Sequence, residues 1–190
     1  MSKRRKPQLP KPSPSESGAP SRDERVRRLV SEAAQLLASR RPGEAVSKLL
    51  EARELDPHNV AAAINLGGAY ILQGRYSQAI PVLEEAVRLA PDNVMAWTNL
   101  AASYLGKLPL ASRERQDQAI RAYEQALAID PRAPNVHYNL GLIYLERGDK
   151  LQASAHFYKA LETDPNDRDA QYWLDKIRRG DESQPPANQG

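Results

Sequence analysis

A chain of 190 residues with 41% apolar side chains has room for one ordinary domain or one short repeat array, and enough apolar surface to bury a core. It holds no cysteine, which excludes disulfides, thiolate metal sites and a Cys nucleophile, and is compatible with a reducing compartment. The net charge of +3 is uneven: residues 1–25 carry seven Lys/Arg against three acids, a net of +4, which leaves the rest at −1 and without the basic field of a nucleic-acid-binding domain.

Residues 1–24 form a basic tail rich in Pro and Ser, with Pro7, Pro10, Pro12, Pro14 and Pro20 breaking any helix. Such a stretch buries too little apolar surface to offset its ordering entropy, so the composition predicts disorder. No apolar run follows the opening Met-Ser-Lys-Arg-Arg-Lys-Pro, which argues against a secretory signal. Nor does any window approach the ~18 consecutive apolar residues of a membrane-spanning helix. The expected location is cytoplasmic. The Lys3-Arg4-Arg5-Lys6 cluster could attract nucleic acid or acidic lipid, but a solubilising role suits four charges on a tail better.

Proline then recurs at Pro57, Pro91, Pro131 and Pro165, at separations of 34, 40 and 34 residues. The first unit, 26–59, is divergent, with Leu29, Ala33, Leu36, Ala45, Leu49 and Ala52; Glu32 and Arg40-Arg41-Pro42 depart from the pattern. The second, 60–93, holds Leu66-Gly67, Tyr70, Gly74, Ala79, Leu83 and Ala86. In the third, 94–133, Trp97, Leu100-Ala101 and Tyr104 precede a six-residue insertion near 106–116, after which Ala119, Tyr123 and Ala126 resume the register. The fourth, 134–167, repeats Leu140-Gly141, Tyr144, Gly148, Ala153, Phe157 and Ala160. Apolar spacings of three and four residues predict two antiparallel helices per unit. Gly74 and Gly148 suit a left-handed helix end, and Asn59, Asn93 and Asp167 suit helix N-caps. A final helix, 168–179, carries one apolar stripe (Ala170, Trp173, Leu174, Ile177) and reads as a cap; residues 181–190 read as a second disordered tail.

The pattern of the four units resembles the tetratricopeptide-repeat (TPR) signature of Trp, Leu-Gly, Tyr, Ala, Phe, Ala and Pro. The resemblance covers about residues 25–180 and implies an all-α fold: a right-handed α-solenoid of TPR helix hairpins closed by a C-terminal capping helix. It also implies that the unused face of each first helix lines a concave groove. At one groove phase stand Asn65, Asn99 and Asn139, expected to form a ladder along it. Each amide offers a donor and an acceptor and could grip an extended peptide backbone without reading its sequence. Ile64, Ile71, Thr98, Leu105, Tyr138, Leu142 and Leu145 are expected to supply apolar pockets around them. The cationic places of a chaperone-binding carboxylate clamp are filled here by Val30, Ala34 and Met95, which argues against that use.

No phosphate loop, HExxH or Gly-x-Ser-x-Gly occurs, and His58, His137 and His156 each have a place in the repeat without a ligand partner at i+4. The expectation is therefore no catalytic residue, no metal, no cofactor and no small-molecule substrate. The reading is a non-enzymatic adaptor that binds a protein or peptide partner in the groove. The alternative is an assembly subunit whose array packs against itself or another folded protein, and a third, weaker option works on nucleic acid through the basic tail. The oligomeric state stays open.

Overall fold

The computed structural model describes residues 20–180, so both predicted tails, apart from the last few residues of the first, lie outside the described residues. Among the described residues there are nine α-helices and no strand: α1 Arg22–Ala38, α2 Pro42–Leu55, α3 Val60–Leu72, α4 Tyr76–Leu89, α5 Val94–Leu105, α6 Arg113–Ile129, α7 Val136–Glu146, α8 Lys150–Thr163 and α9 Arg168–Arg179. Helices pair as antiparallel hairpins (α1/α2, α3/α4, α5/α6, α7/α8), each packs on the next, and α9 closes the row against α8. This is the expected all-helical solenoid, and none of its helices is long and apolar enough to cross a membrane.

The first helix starts earlier than composition indicates. Arg22, Asp23 and Glu24, assigned to the disordered tail, form its first turn. The reason is a capping box: Ser21 Oγ accepts the Glu24 N–H at 3.2 Å, and Glu24 accepts the Ser21 N–H at 2.7 Å. The divergent first unit is a full hairpin. Its odd Glu32 pairs with Lys48 across α1 and α2 at 2.8 Å, and Arg40, at φ 56°, takes the left-handed place that Gly74 and Gly148 fill elsewhere.

Small residues set the spacing within hairpins. A Cβ built on Gly67 would lie 2.4 Å from Leu83, and one on Gly141 would lie 2.6 Å from Phe157, so only glycine lets these helices meet. Ala33, Ala45, Ala52, Ala79, Ala86, Ala119 and Ala126 are fully buried beside Leu49, Leu83 and Tyr123. One core runs unbroken from Leu29 to Leu100, and two smaller ones continue from Ala101 to Ile143 and from Ala153 to Leu174. The divisions fall within α5, between Leu100 and Ala101, and within the fourth hairpin, between Ile143 of α7 and Ala153 of α8.

Candidate functional site

The first helices α1, α3 and α5 touch one another in sequence, while their partners α2, α4 and α6 make no comparable contact. A row that touches lies on the inner side of a bend, so the exposed faces of α1, α3 and α5 form one inner surface. The hairpin geometry turns the apolar residues at the other helical phases into the core. What is left on this surface is small or neutral along α3 and α5, while α1 adds the exposed Arg27, one repeat before Ala61. Ala34 and Ala61 are exposed, Gly68 and Ala102 are partly exposed, and Leu72 and Met95 stand out at 63% and 60% exposure.

Asn65 and Asn99 are half-buried on this surface, and no side-chain hydrogen bond of either is found among the described residues. A Cβ on Gly68 would lie 3.8 Å from Asn99 Nδ2, so the absence of a side chain at Gly68 leaves space beside the Asn99 amide. Asn139 differs. Its Nδ2 donates to the Asn135 carbonyl at 2.9 Å, one turn back in its own helix. The cause is a late helix start: Asn135 sits at φ 60°, left-handed and without a side-chain cap bond, so α7 begins at Val136. Contact between α5 and α7 is at most slight. Asn65 and Asn99 thus lie on helices that touch and make no side-chain hydrogen bond among the described residues, whereas the Asn139 amide is engaged within its own helix.

The expected apolar pockets also divide. Ile64 and Leu105 are 5% and 8% exposed and belong to the core, Ile64 to the first and Leu105 to the second; this corrects their assignment to the groove. Ile71 packs against the same core as Ile64 while keeping part of its surface, and the Thr98 hydroxyl donates to the Val94 carbonyl at 2.8 Å. Tyr138, Leu142 and Leu145 pack partly into the last core under α9. There Tyr138 meets Phe157 with ring centroids 5.9 Å apart, and Phe157 stacks on Trp173 at 6.4 Å. The capping helix thus uses much of what the fourth hairpin was expected to offer a ligand.

Sequence reasoning did not single out Leu72 and Met95 as the most open apolar side chains on this surface. It had no means of finding two other features. Lys176 of α9 is 7% exposed, with its ammonium 5.5 and 5.4 Å from the Tyr172 and Trp173 ring centres. His137 and His156, 19 residues apart, bring their Nδ1 atoms to 3.1 Å.

Comparison with known proteins bears on what this surface serves. Family models described as tetratricopeptide repeat match residues 36–104 and 134–167, and one described as TPR repeat matches 110–148. Among solved structures, MamA (residue 41 to the end) from Desulfovibrio magneticus RS-1 is 24% identical with a TM-score of 0.65, over 75% of this chain and 77% of its own. A thermophilic TPR protein of Thermus thermophilus is 21% identical with a TM-score of 0.68, over 82% of each chain. The first TPR domain of human RPAP3 is 19% identical with a TM-score of 0.58, over 67% of this chain and 96% of that domain. These likenesses concern the fold. No curated protein matches the sequence significantly.

Proposed function

The chain belongs to the tetratricopeptide-repeat family, whose arrays are generally non-enzymatic protein-interaction modules, and from that premise we propose that it holds an extended, uncharged peptide segment across α1, α3 and α5. The observation that carries this reading is the pair of unengaged, half-buried amides, Asn65 on α3 and Asn99 on the adjoining α5, with the open space at Gly68 beside Asn99. An amide left without a partner in a half-buried setting gains by meeting a peptide N–H and C=O. Leu72 and Met95 beside them suit apolar side chains projecting from alternate positions of such a segment. No Lys, Arg, Asp or Glu occupies the inner surface between Ala34 and Ala102, so charge gives no preference there.

The test is selection of binders from a displayed random-peptide library on the full chain, followed by affinity measurement of one selected peptide. Each amide hydrogen bond contributes about 0.5–1.5 kcal/mol. Asn65→Ala with Asn99→Ala should therefore weaken binding about tenfold or more, and Asn139→Ala should leave it within about twofold. Equal loss at all three asparagines, or none at the first two, overturns the reading.

A further inference from the structure

A second feature lies outside the groove, in the fourth hairpin. His137, in the first turn of α7, and His156, midway along α8, face each other with Nδ1 atoms 3.1 Å apart, ring centroids 5.4 Å apart and planes inclined by 37°. Tyr144 stacks nearly flat on His156, with centroids 5.3 Å apart and an angle of 7°, which restrains that ring. His137 also lines a cleft of about 290 Å³ between the start of α7, the end of α8 and the start of α9. Asp164, Asp167 and Asp169 form part of the cleft wall. Of the charged side chains, Lys159 acts on both rings and Glu162, with the opposite sign, on His137.

We propose that His137 and His156 are a two-imidazole site for a divalent transition-metal ion such as Zn²⁺, beside the cleft that His137 lines, with water completing the coordination. The spacing fits. Imidazole nitrogens bind Zn²⁺ at about 2.0–2.1 Å, so an ion equidistant from two nitrogens 3.1 Å apart subtends an angle of about 100°. That lies between the ~90° of square-planar and the ~109° of tetrahedral coordination. Without metal, one Nδ1–H donates to the other Nδ1. On binding, the donor ring moves its proton to Nε2, so both rings ligate as neutral imidazoles and no net proton is released at neutral pH. Among the described residues no group of three or more His, Asp or Glu is placed to hold one ion, so positions stay open to water or to a partner's side chain. Glu162 favours a cation beside His137, and Lys159 opposes it at both rings from the exposed side of α8. The bound ion ties α7 to α8 and raises stability by mass action.

The experiment is calorimetric titration of the full chain with Zn²⁺ at pH 7.5 in a non-chelating buffer, alongside thermal unfolding. One ion per chain should bind at micromolar to submillimolar concentration and raise Tm. His156→Phe and His137→Phe keep an aromatic ring in place and should each weaken binding at least tenfold, while His58→Phe, at the exposed histidine of the α2–α3 turn, should not. Should a Phe variant fail to fold, the ¹⁵N resonances of the wild-type histidines decide: Zn²⁺ must shift the Nδ1 signals of His137 and His156. Wild-type-like binding by the folded His156→Phe chain, no saturable binding at all, or unmoved Nδ1 signals overturns the proposal.

Discussion

Arg40 shows how one side chain records the divergence of the first repeat. Its φ of 56° lies in the left-handed region, where a residue with a Cβ is strained by about 1–2 kcal/mol relative to the right-handed helix. The turn still closes, since Arg40 and Arg41 donate to the carbonyls of Leu37 and Leu36. Because Arg40 is exposed, replacing it removes strain without removing packing. Arg40→Gly should stabilise the chain by about 0.5–1 kcal/mol, part of the gain being offset by the freer unfolded glycine. Urea unfolding measures it, and an unchanged or lower midpoint contradicts the account. The histidine pair supplies a pH dependence at the same scale. His156 is pushed from the ordinary 6.5 down to about 4, chiefly by burial and then by His137 and Lys159. His137 is lowered too, by burial and then Lys159, with Glu162 opposing. Between pH 6.5 and about 4 the unfolded chain therefore binds more protons than the folded one. The stability from the neutral pair is complete above pH 6.5 and is lost as pH falls through that window. Urea midpoints of the metal-free chain should be level from pH 8 to 7 and decline below 6.5, and His156→Phe should flatten the decline.

At the scale of elements, the insertion is more than a longer loop. A short 3₁₀ turn at Leu108–Leu110 touches α7, and α6 runs for 17 residues where α2, α4 and α8 have 14. Arg147, at the end of α7, donates from its guanidinium to Gln116 and Asp117 at 2.8 and 2.6 Å and to the Arg113 carbonyl in the added turn at 3.4 Å. With its side chain only 14% exposed against an Asp117 side chain that is 50% exposed, Arg147 holds a partly desolvated contact between the third and fourth hairpins. Arg147→Ala should cost about 1–3 kcal/mol, the range for hydrogen bonds to charged groups, and a loss below about 0.5 kcal/mol in chemical unfolding contradicts the role. The helices and caps were legible in the sequence because they depend on local chemistry: Asn59, Asn93 and Asp167 accept the N–H groups of Ala62, Ala96 and Ala170 as expected. The candidate site was legible only in phase. Periodicity put Asn65, Asn99 and Asn139 on one line, but the left-handed turn at Asn135 delays α7 and occupies the third amide. Phase likewise cannot say how closely neighbouring elements approach, which is why Ile64 and Leu105 were assigned to the surface.

Across the whole molecule, a solenoid's stability is a sum of repeat terms and nearest-neighbour interfaces, and here those interfaces are unequal. The N-terminal part shares one core from Leu29 to Leu100, reinforced between hairpins by the Arg53–Glu85 ion pair. Beyond the insertion the first helices α5 and α7 scarcely touch, and the last core rests on a few residues around Phe157 and Leu174. The capping helix ends this weaker part with Arg168, Asp169, Gln171, Arg178 and Arg179 exposed, so its outer side does not call for another repeat. The α7–α9 unit should consequently open before the α1–α4 unit. Native-state hydrogen exchange should give interior amides of α7 and α8 opening free energies about 1–3 kcal/mol below those of α3, with Arg147→Ala widening the gap because it weakens only the junction. A single opening free energy shared by α3 and α8 would mean that the slight α5–α7 contact is energetically immaterial. In that case the groove and the histidine pair would belong to one cooperative unit. If the gap is found, metal at the histidine pair should narrow it from the α7–α9 side and leave α3 unchanged, because the ion would stabilise only the unit that opens first.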